Sequence, residues 1–233
     1  MNANARTALI IGSSRGLGLG LAGELARRGW HVIATARQPG HAKELQALFA
    51  AHSGQFELEA IDLDRSADHE ALVQRLGRRR LHLVFVNAGI MGPKEQSALQ
   101  ASREDIAQIM WTNAVAPLRI AERLLPQVVE GGTVAFMTSK LGSVAANTTG
   151  DYDLYRMSKA SLNMLTRSFA ATHAQRSGIT VLNLHPGWVR TDMGGPQAPL
   201  SIEESTRGLA DVLEKRHGRD HFYLDYQGQQ IPW

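Results

Sequence analysis

Thr7-Ala8-Leu9-Ile10-Ile11, followed without a break by Gly12-Ser13-Ser14-Arg15-Gly16-Leu17-Gly18, is the stretch that decides the fold. Five residues without a charge, apolar on both faces, read as a strand buried in a sheet, and the periodicity from Leu17 to Arg28 reads as an amphipathic helix. Glycine at this junction permits a tight turn and a close approach of backbone to a ligand. The helix N-terminus behind it offers free N–H groups and a partial positive charge, which suit a pyrophosphate. A glycine pattern alone also serves ligand-free turns, but the strand before it and the helix after it supply the context that phosphate binding needs.

The same alternation runs the length of the chain. Strands are predicted at Thr7–Ile11, His31–Thr35, Phe56–Ile61, Leu81–Val86, Thr133–Thr138, Ile179–Leu184 and Phe222–Leu224. Helices are predicted at Leu17–Arg28, His41–Ala51, Ala67–Leu76, Arg103–Val129, Leu154–Gln175 and Ile202–His217. Short Val- and Ile-rich strands separated by helices predict an α/β fold, one doubly wound Rossmann domain over residues 1–233, with a parallel seven-stranded sheet covered by helices on both faces. No linker, repeat or low-complexity block divides it.

Composition narrows the function classes. With no cysteine there is neither a disulfide framework nor a thiolate metal site, and the nine histidines show no ligand spacing, so no metal is expected. The formal net charge of +3 comes from scattered residues. The one compact run, Arg78-Arg79-Arg80, lies between a helix and a strand without interleaved aromatics, which reads as a solvated turn and not as a nucleic-acid footprint. No apolar run is long enough to cross a bilayer, and Met1 to Arg6 is too short and polar for a signal peptide, so the expectation is a cytoplasmic protein. A homo-oligomer is left open.

Tyr155-Arg156-Met157-Ser158-Lys159 lies on a predicted helix, where positions i and i+4 share a face, so phenol and ammonium can project into one cleft. A neighbouring cation favours phenolate and is expected to lower the tyrosine pKa, making it a proton donor or acceptor. Tyr152 lacks that partner, because position 156 is arginine. Pro117, four residues after Asn113, has no N–H for the Asn113 carbonyl, so a kink is expected there.

The spacing Gly12-x-x-x-Gly16-x-Gly18, Asn87-Ala88-Gly89, Ser139-x-x-Gly142, Tyr155-x-x-x-Lys159 and Pro186-Gly187 together resemble the short-chain dehydrogenase/reductase family over nearly the whole chain. The resemblance implies a catalytic set of Asn113, Ser139, Tyr155 and Lys159. Ser139 binds the substrate oxygen, Tyr155 is the acid/base, Lys159 tunes it and binds the nicotinamide ribose, and a water on the Asn113 backbone relays protons. It implies a cofactor site of Gly12, Ser14, Arg15, Gly16, Leu17, Gly18, Arg37, Asp62, Leu63, Asn87, Ala88, Gly89, Tyr155, Lys159, Pro186, Gly187, Val189 and Thr191. Asp62 would contact adenine, Asn87-Ala88-Gly89 would back the adenosine, and Thr191 would meet the nicotinamide carboxamide. The acid that selects NAD after the second strand is missing from Thr35-Ala36-Arg37. Arg37 and Arg15 can both reach a ribose 2′-phosphate, so NADP(H) is favoured over NAD(H). Ile11 and Val86 replace residues frequent in the family, and a scaffold hydrogen bond is expected to be lost.

Within the family, Tyr155–Lys159 followed by Leu162-Asn163, and His185 through Gly195 with Ala198-Pro199-Leu200, are most similar to the carbonyl-reductase subgroup that includes sniffer and the bacterial C-factor. That implies reduction of a small-molecule ketone, aldehyde or quinone to an alcohol by hydride transfer. A 3-oxoacyl thioester reductase and a non-catalytic nucleotide-binding signalling protein are the alternatives. Ile90, Met91, Leu141, Trp188 and Met193 are candidate pocket residues for an apolar or aromatic substrate, although core packing explains each as well. The segment from Gly194 to Leu200 reads as a short mobile lid. Ile231-Pro232-Trp233 fits the core, the pocket rim or an interface.

Overall fold

Alternate side chains of the first strand build two separate cores. β1 (Thr7–Ile11) sends Leu9 and Ile11 to one side and Ala8 and Ile10 to the other, all of them buried. The structure, a computed structural model, describes residues 6–52, 54–215 and 217–233; the polar segment before Arg6 lies outside them, as does residue 216 of the last predicted helix. The remaining strands are β2 (His31–Ala36), β3 (Phe56–Ala60), β4 (Leu81–Val86), β5 (Val128–Met137), β6 (Thr180–His185) and β7 (His221–Asp225). All pair in parallel, in the order β3-β2-β1-β4-β5-β6-β7.

Helices cover both faces, as predicted. α3 (Ser66–Leu76), α5 (Ala116–Leu124) and α6 (Asp153–Ser177) lay Leu72, Ile120, Leu124, Leu162 and Phe169 on the Leu9 and Ile11 face. α1 (Gly16–Arg27), α2 (Lys43–Ala51) and α7 (Ile202–Glu214) lay Leu21, Leu25, Leu45 and Leu209 on the Ala8 and Ile10 face. Each such side chain, fully buried, stabilises the fold by roughly 1.5–3 kcal/mol. Phe136 of β5 and Phe169 of α6 add an edge-to-face contact at 6.3 Å and 80°. α7 begins with a capping box, Ser201 and Glu204 each bonding the other's backbone N–H.

The predicted helix Arg103–Val129 is corrected. α4 (Arg103–Met110) opens into a wider π turn at Trp111–Val115, where the Ala116 N–H reaches back to the Trp111 carbonyl, and α5 follows. Pro117, without an N–H, sits just past this widening, so the expected kink takes the form of a π bulge. Asp64 anchors it: Thr112 Oγ1 donates to Asp64 Oδ1 at 2.8 Å and the Trp111 indole to the Asp64 carbonyl at 3.1 Å. After a 3-10 turn at Leu125–Gln127, Val128 is already strand, paired with Leu81. The apolar spacing there suits a helix, but pairing with β4 wins.

Arg78-Arg79-Arg80 lies in the connection between α3 and β4, with Arg79 paired to Glu57. Among the described residues no helix is long and apolar enough to cross a membrane. The strand order reverses between β1 and β4, so a crevice opens at their carboxyl ends, the place where open α/β sheets bind ligands.

Candidate active site

The glycine turn and the end of β4 meet in that crevice. Gly12 has φ +91°, a left-handed value that suits glycine; its N–H donates to Thr35 Oγ1 at 3.1 Å, and its carbonyl accepts the Asn87 side-chain amide at 2.7 Å. A Cβ on Gly18 would lie 2.0 Å from the Gly12 carbonyl oxygen and 2.6 Å from Asn87 Nδ2, so only glycine lets the first turn of α1 back onto the loop. The Asn87 side chain thus ties β4 to the turn. The main-chain N–H groups of Asn87 and Ala88 both donate to the Ile11 carbonyl at 3.0 Å, so main chain holds the junction where Ile11 and Val86 depart from the family pattern. Gly16 opens α1 beside the methyl of Thr191, and Leu17 packs toward the α1 side of the core.

Ser14, Arg37 and Asp62 line one cleft of about 550 Å³, together with Ala36, His41 and Arg65. Arg37 is exposed and no acid ends β2. Asp62 also caps its own turn, accepting from the Asp64 N–H at 3.2 Å, and Leu63 is buried with its carbonyl bonded to His69 Nε2 at 2.7 Å. Arg15 is not brought into this cleft: its guanidinium pairs with Asp192, on the loop after β6. Both partners are largely exposed, and such surface pairs are worth only about 0–1 kcal/mol, so a stronger anion can displace the carboxylate.

The four residues of the expected catalytic set come together on the other side of the crevice, all buried. Ser139 follows β5 by two residues and caps the turn Lys140–Gly142, its Oγ accepting the Leu141 N–H at 3.2 Å. Tyr155 and Lys159 share a face of α6. A Cβ on Gly142 would lie 2.8 Å from the backbone carbon of Lys159, so the Ser139-x-x-Gly142 spacing docks the serine turn directly on the helix. The Asn113 amide donates to the Ile90 carbonyl at 2.8 Å and to Ser158 Oγ at 3.0 Å, while its oxygen accepts the Ile90 N–H at 2.8 Å. The two amide hydrogens therefore tie the segment after β4 to Ser158 on α6. Gly89 lies beside this amide, its Cβ position 3.1 Å from Asn113 Oδ1 and 3.4 Å from Lys159 Nζ.

The expectation that Lys159 lowers the Tyr155 pKa is corrected. Burial pushes the phenol up to about 12, and the nearby Ser139 hydroxyl offsets only part of the rise. Lys159 Nζ donates to the Met137 carbonyl at 3.0 Å and lies 5.7 Å from the centre of the tyrosine ring; its own burial pulls it down to about 8. At neutral pH the site holds a protonated phenol beside a hydroxyl and a buried ammonium.

Two positioning groups escaped the sequence reading. Ser158 Oγ joins Asn113 to the Tyr155 carbonyl, donating at 2.8 Å, and its place inside the Tyr155–Lys159 pentapeptide was a usable signal. Gln96 Oε1 accepts the Tyr155 N–H at 3.2 Å while its amide bonds the Met91 and Pro93 carbonyls; a loop glutamine carries no such signal.

Of the candidate pocket residues, Ile90, Met91 and Leu141 pack against the small cluster of Ile109, Leu154 and Tyr155, whereas Trp188 and Met193 are exposed on the loop after β6. In that loop the Pro186 carbonyl accepts from Ser205 Oγ at 2.7 Å, Gly187 has φ +82°, Val189 is buried and bridged to Leu200, and Thr191 Oγ1 accepts the Gly194 N–H at 3.0 Å. The segment from Gly194 to Leu200 is stitched to its base. Arg190 donates to the Ala198 and Pro199 carbonyls at 2.9 and 2.7 Å, and the Trp188 indole to the Gly194 carbonyl at 2.8 Å. Ile231 is buried, and Trp233 packs on Tyr223 and His221.

The sequence profile of the short chain dehydrogenase family matches residues 6–199. A carbonyl reductase from Pseudomonas aeruginosa PAO1, solved in complex with NADP, superposes with a TM-score of 0.91 at 42% identity, covering 99% of this chain and 100% of its own. The carbonyl reductase Sniffer of D. melanogaster superposes with a TM-score of 0.90 at 31% identity, covering 99% of this chain and 100% of its own. C-signal of Myxococcus xanthus is 45% identical over 135 residues, 55% of this chain and 79% of that protein.

Proposed function

The chain belongs to the short-chain dehydrogenase/reductase family of oxidoreductases, and from that premise we propose that it is an NADPH-dependent carbonyl reductase with Tyr155 as its acid/base. The observation that carries this reading is the Tyr155 phenol, one helical turn from Lys159, whose ammonium lies 5.7 Å from the centre of the tyrosine ring, and buried together with Ser139.

The residues present fit the cofactor. The Gly12–Gly18 turn, which packs on Ala88 and Asn87 too closely for side chains at Gly12 and Gly18, and the N-terminus of α1 suit the pyrophosphate. Asp62 and Leu63 would hold the adenine, and Asn87, Ala88 and Gly89 the strand end beneath it. Arg37, with Arg15 once released from Asp192, would hold the 2′-phosphate. Pro186, Gly187, Val189 and Thr191 would meet the nicotinamide end. NADP in the Pseudomonas relative supports the phosphorylated form.

NADPH, when bound, supplies the hydride; the chain manages the oxygen end of the reaction. Ser139 holds the carbonyl oxygen with its hydroxyl. Tyr155, protonated at neutral pH, gives its proton to that oxygen as negative charge develops, an acid role worth ~10²–10⁴-fold. The Lys159 ammonium stabilises the phenolate left behind and would hold the nicotinamide ribose. Asn113 fixes Ile90 and Ser158, and its main chain would hold the water that returns the proton. Ile90, Met91 and Leu141, packed against the cluster that contains Tyr155, favour an apolar or aromatic carbonyl compound.

A purely signalling role does not need this buried set. The test is NADPH consumption with a panel of ketones, aldehydes, quinones and a 3-oxoacyl thioester. Turnover of the small carbonyls supports the proposal; turnover of the thioester alone moves the substrate class; NADPH binding without turnover on any member overturns the enzyme reading.

A further inference from the structure

Residues outside the proposed chemistry grip both ends of the turn that carries Ser139. Tyr223 of β7 is 1% exposed, and its hydroxyl donates to the Ser139 carbonyl at 2.5 Å. That carbonyl already accepts the Gly142 N–H at 2.8 Å, so the phenol is not needed to satisfy it; the second bond fixes the plane of the Ser139–Lys140 peptide. At the far end of the turn, Ser143 Oγ donates to the Pro232 carbonyl at 2.5 Å and the Ala145 N–H to the Trp233 carbonyl at 3.1 Å. The segment supplying those carbonyls is itself folded back on β7. The Ile231 N–H donates to the Tyr223 carbonyl at 2.9 Å, and the Trp233 ring lies 5.0 Å from that of Tyr223 and 4.7 Å from that of His221. Tyr223, Pro232 and Trp233 therefore form one brace, with three hydrogen bonds onto residues 139–145.

We propose that Tyr223 and the Pro232-Trp233 segment are positioning residues for Ser139, holding its turn in register with Tyr155 on α6. This rests on the roles given above to Ser139 and Tyr155. The turn is clamped from two sides: Gly142 is pressed on the Lys159 backbone from within, and β7 with residues 232–233 closes it from outside. A hydroxyl that must meet a carbonyl oxygen and a phenol together needs such a support, because side chains on a short turn are placed less accurately than those on a helix.

The test is Tyr223→Phe, which keeps the buried ring and leaves Ser139 its bond from Gly142. On NADPH-loaded protein, kcat is expected to fall between about 10- and 100-fold, the cost of a misplacement of up to about 1 Å. KM and the NADPH Kd should stay within about twofold, because the lost interaction acts in the transition state. Amide exchange at Leu141 and Gly142, whose acceptors are the Ser139 hydroxyl and carbonyl, should quicken. Trp233→Ala should shift the same readouts in the same direction. A lowered melting temperature with unchanged kcat would mean a scaffold role only and overturn the proposal, as would unchanged exchange at Leu141 and Gly142. Loss of all turnover in the native chain would instead bring down the carbonyl-reductase reading, and quickened exchange would still support the brace.

Discussion

Gly142→Ala tests whether the serine turn is registered against the catalytic helix. The new methyl carbon would lie 2.8 Å from both the backbone carbon and Cβ of Lys159, and 3.0 Å from its carbonyl oxygen. Carbon atoms sit comfortably at about 3.5–4.0 Å, so the two segments must separate by about 0.7–1.2 Å. The obstacle is helix backbone inside the 25-residue α6, which has no rotamer to yield, so the turn moves and Ser139 moves with it. Overpacking of this kind destabilises by about 1–3 kcal/mol. A shift near 1 Å at the reacting groups lowers kcat by up to about 100-fold. Among the proposed cofactor contacts the change presses on Lys159 and leaves the Gly12–Gly18 loop alone, so NADPH affinity should fall less than kcat. Steady-state NADPH oxidation, with cofactor titration and thermal melting on the same preparation, separates the three effects. A folded variant with native kcat would refute the coupling of turn and helix.

Two further changes probe the cofactor and the buried charge. Arg37→Asp should weaken NADPH binding roughly 10- to 100-fold, the worth of about 1.5–3 kcal/mol for hydrogen bonds to a charged group, and shift preference toward NADH; titration with both cofactors checks it, and an unmoved preference removes Arg37 from the phosphate site. Lys159 has a folded-state pKa lowered from 10.5 to about 8, so above about pH 8 the unfolded chain binds the extra proton and stability rises with pH up to about 10.5. The lowering corresponds to about 3 kcal/mol, and the difference in urea stability between the cofactor-free native protein and Lys159→Met should grow by that order across this window; a flat difference contradicts it.

The strands were legible because a parallel sheet buried on both faces writes itself as continuous apolar runs, and all seven formed within a few residues of their predicted bounds apart from the early start of β5. The Gly12–Gly18 turn and the Tyr155–Lys159 pair were legible because their chemistry depends on local spacing. What escaped depends on distant partners. The π bulge at Trp111–Val115 needs Asp64, and Val128 is strand only because β4 lies beside it. Tyr223 reaches Ser139 across 84 residues, and no local pattern announces that bond. The pKa shift of Tyr155 was read with the wrong sign because proximity to Lys159 is visible in the sequence whereas the depth of burial is not.

The central claim is that the Tyr155 hydroxyl supplies the proton, and the most direct measurement is the ratio of native to Tyr155→Phe kcat with the NADPH Kd determined for both. The substitution removes one oxygen and keeps the buried ring, so cofactor affinity should change little while kcat falls ~10²–10⁴-fold, the range for general acid catalysis. Native turnover by Tyr155→Phe at unchanged NADPH affinity would contradict the claim.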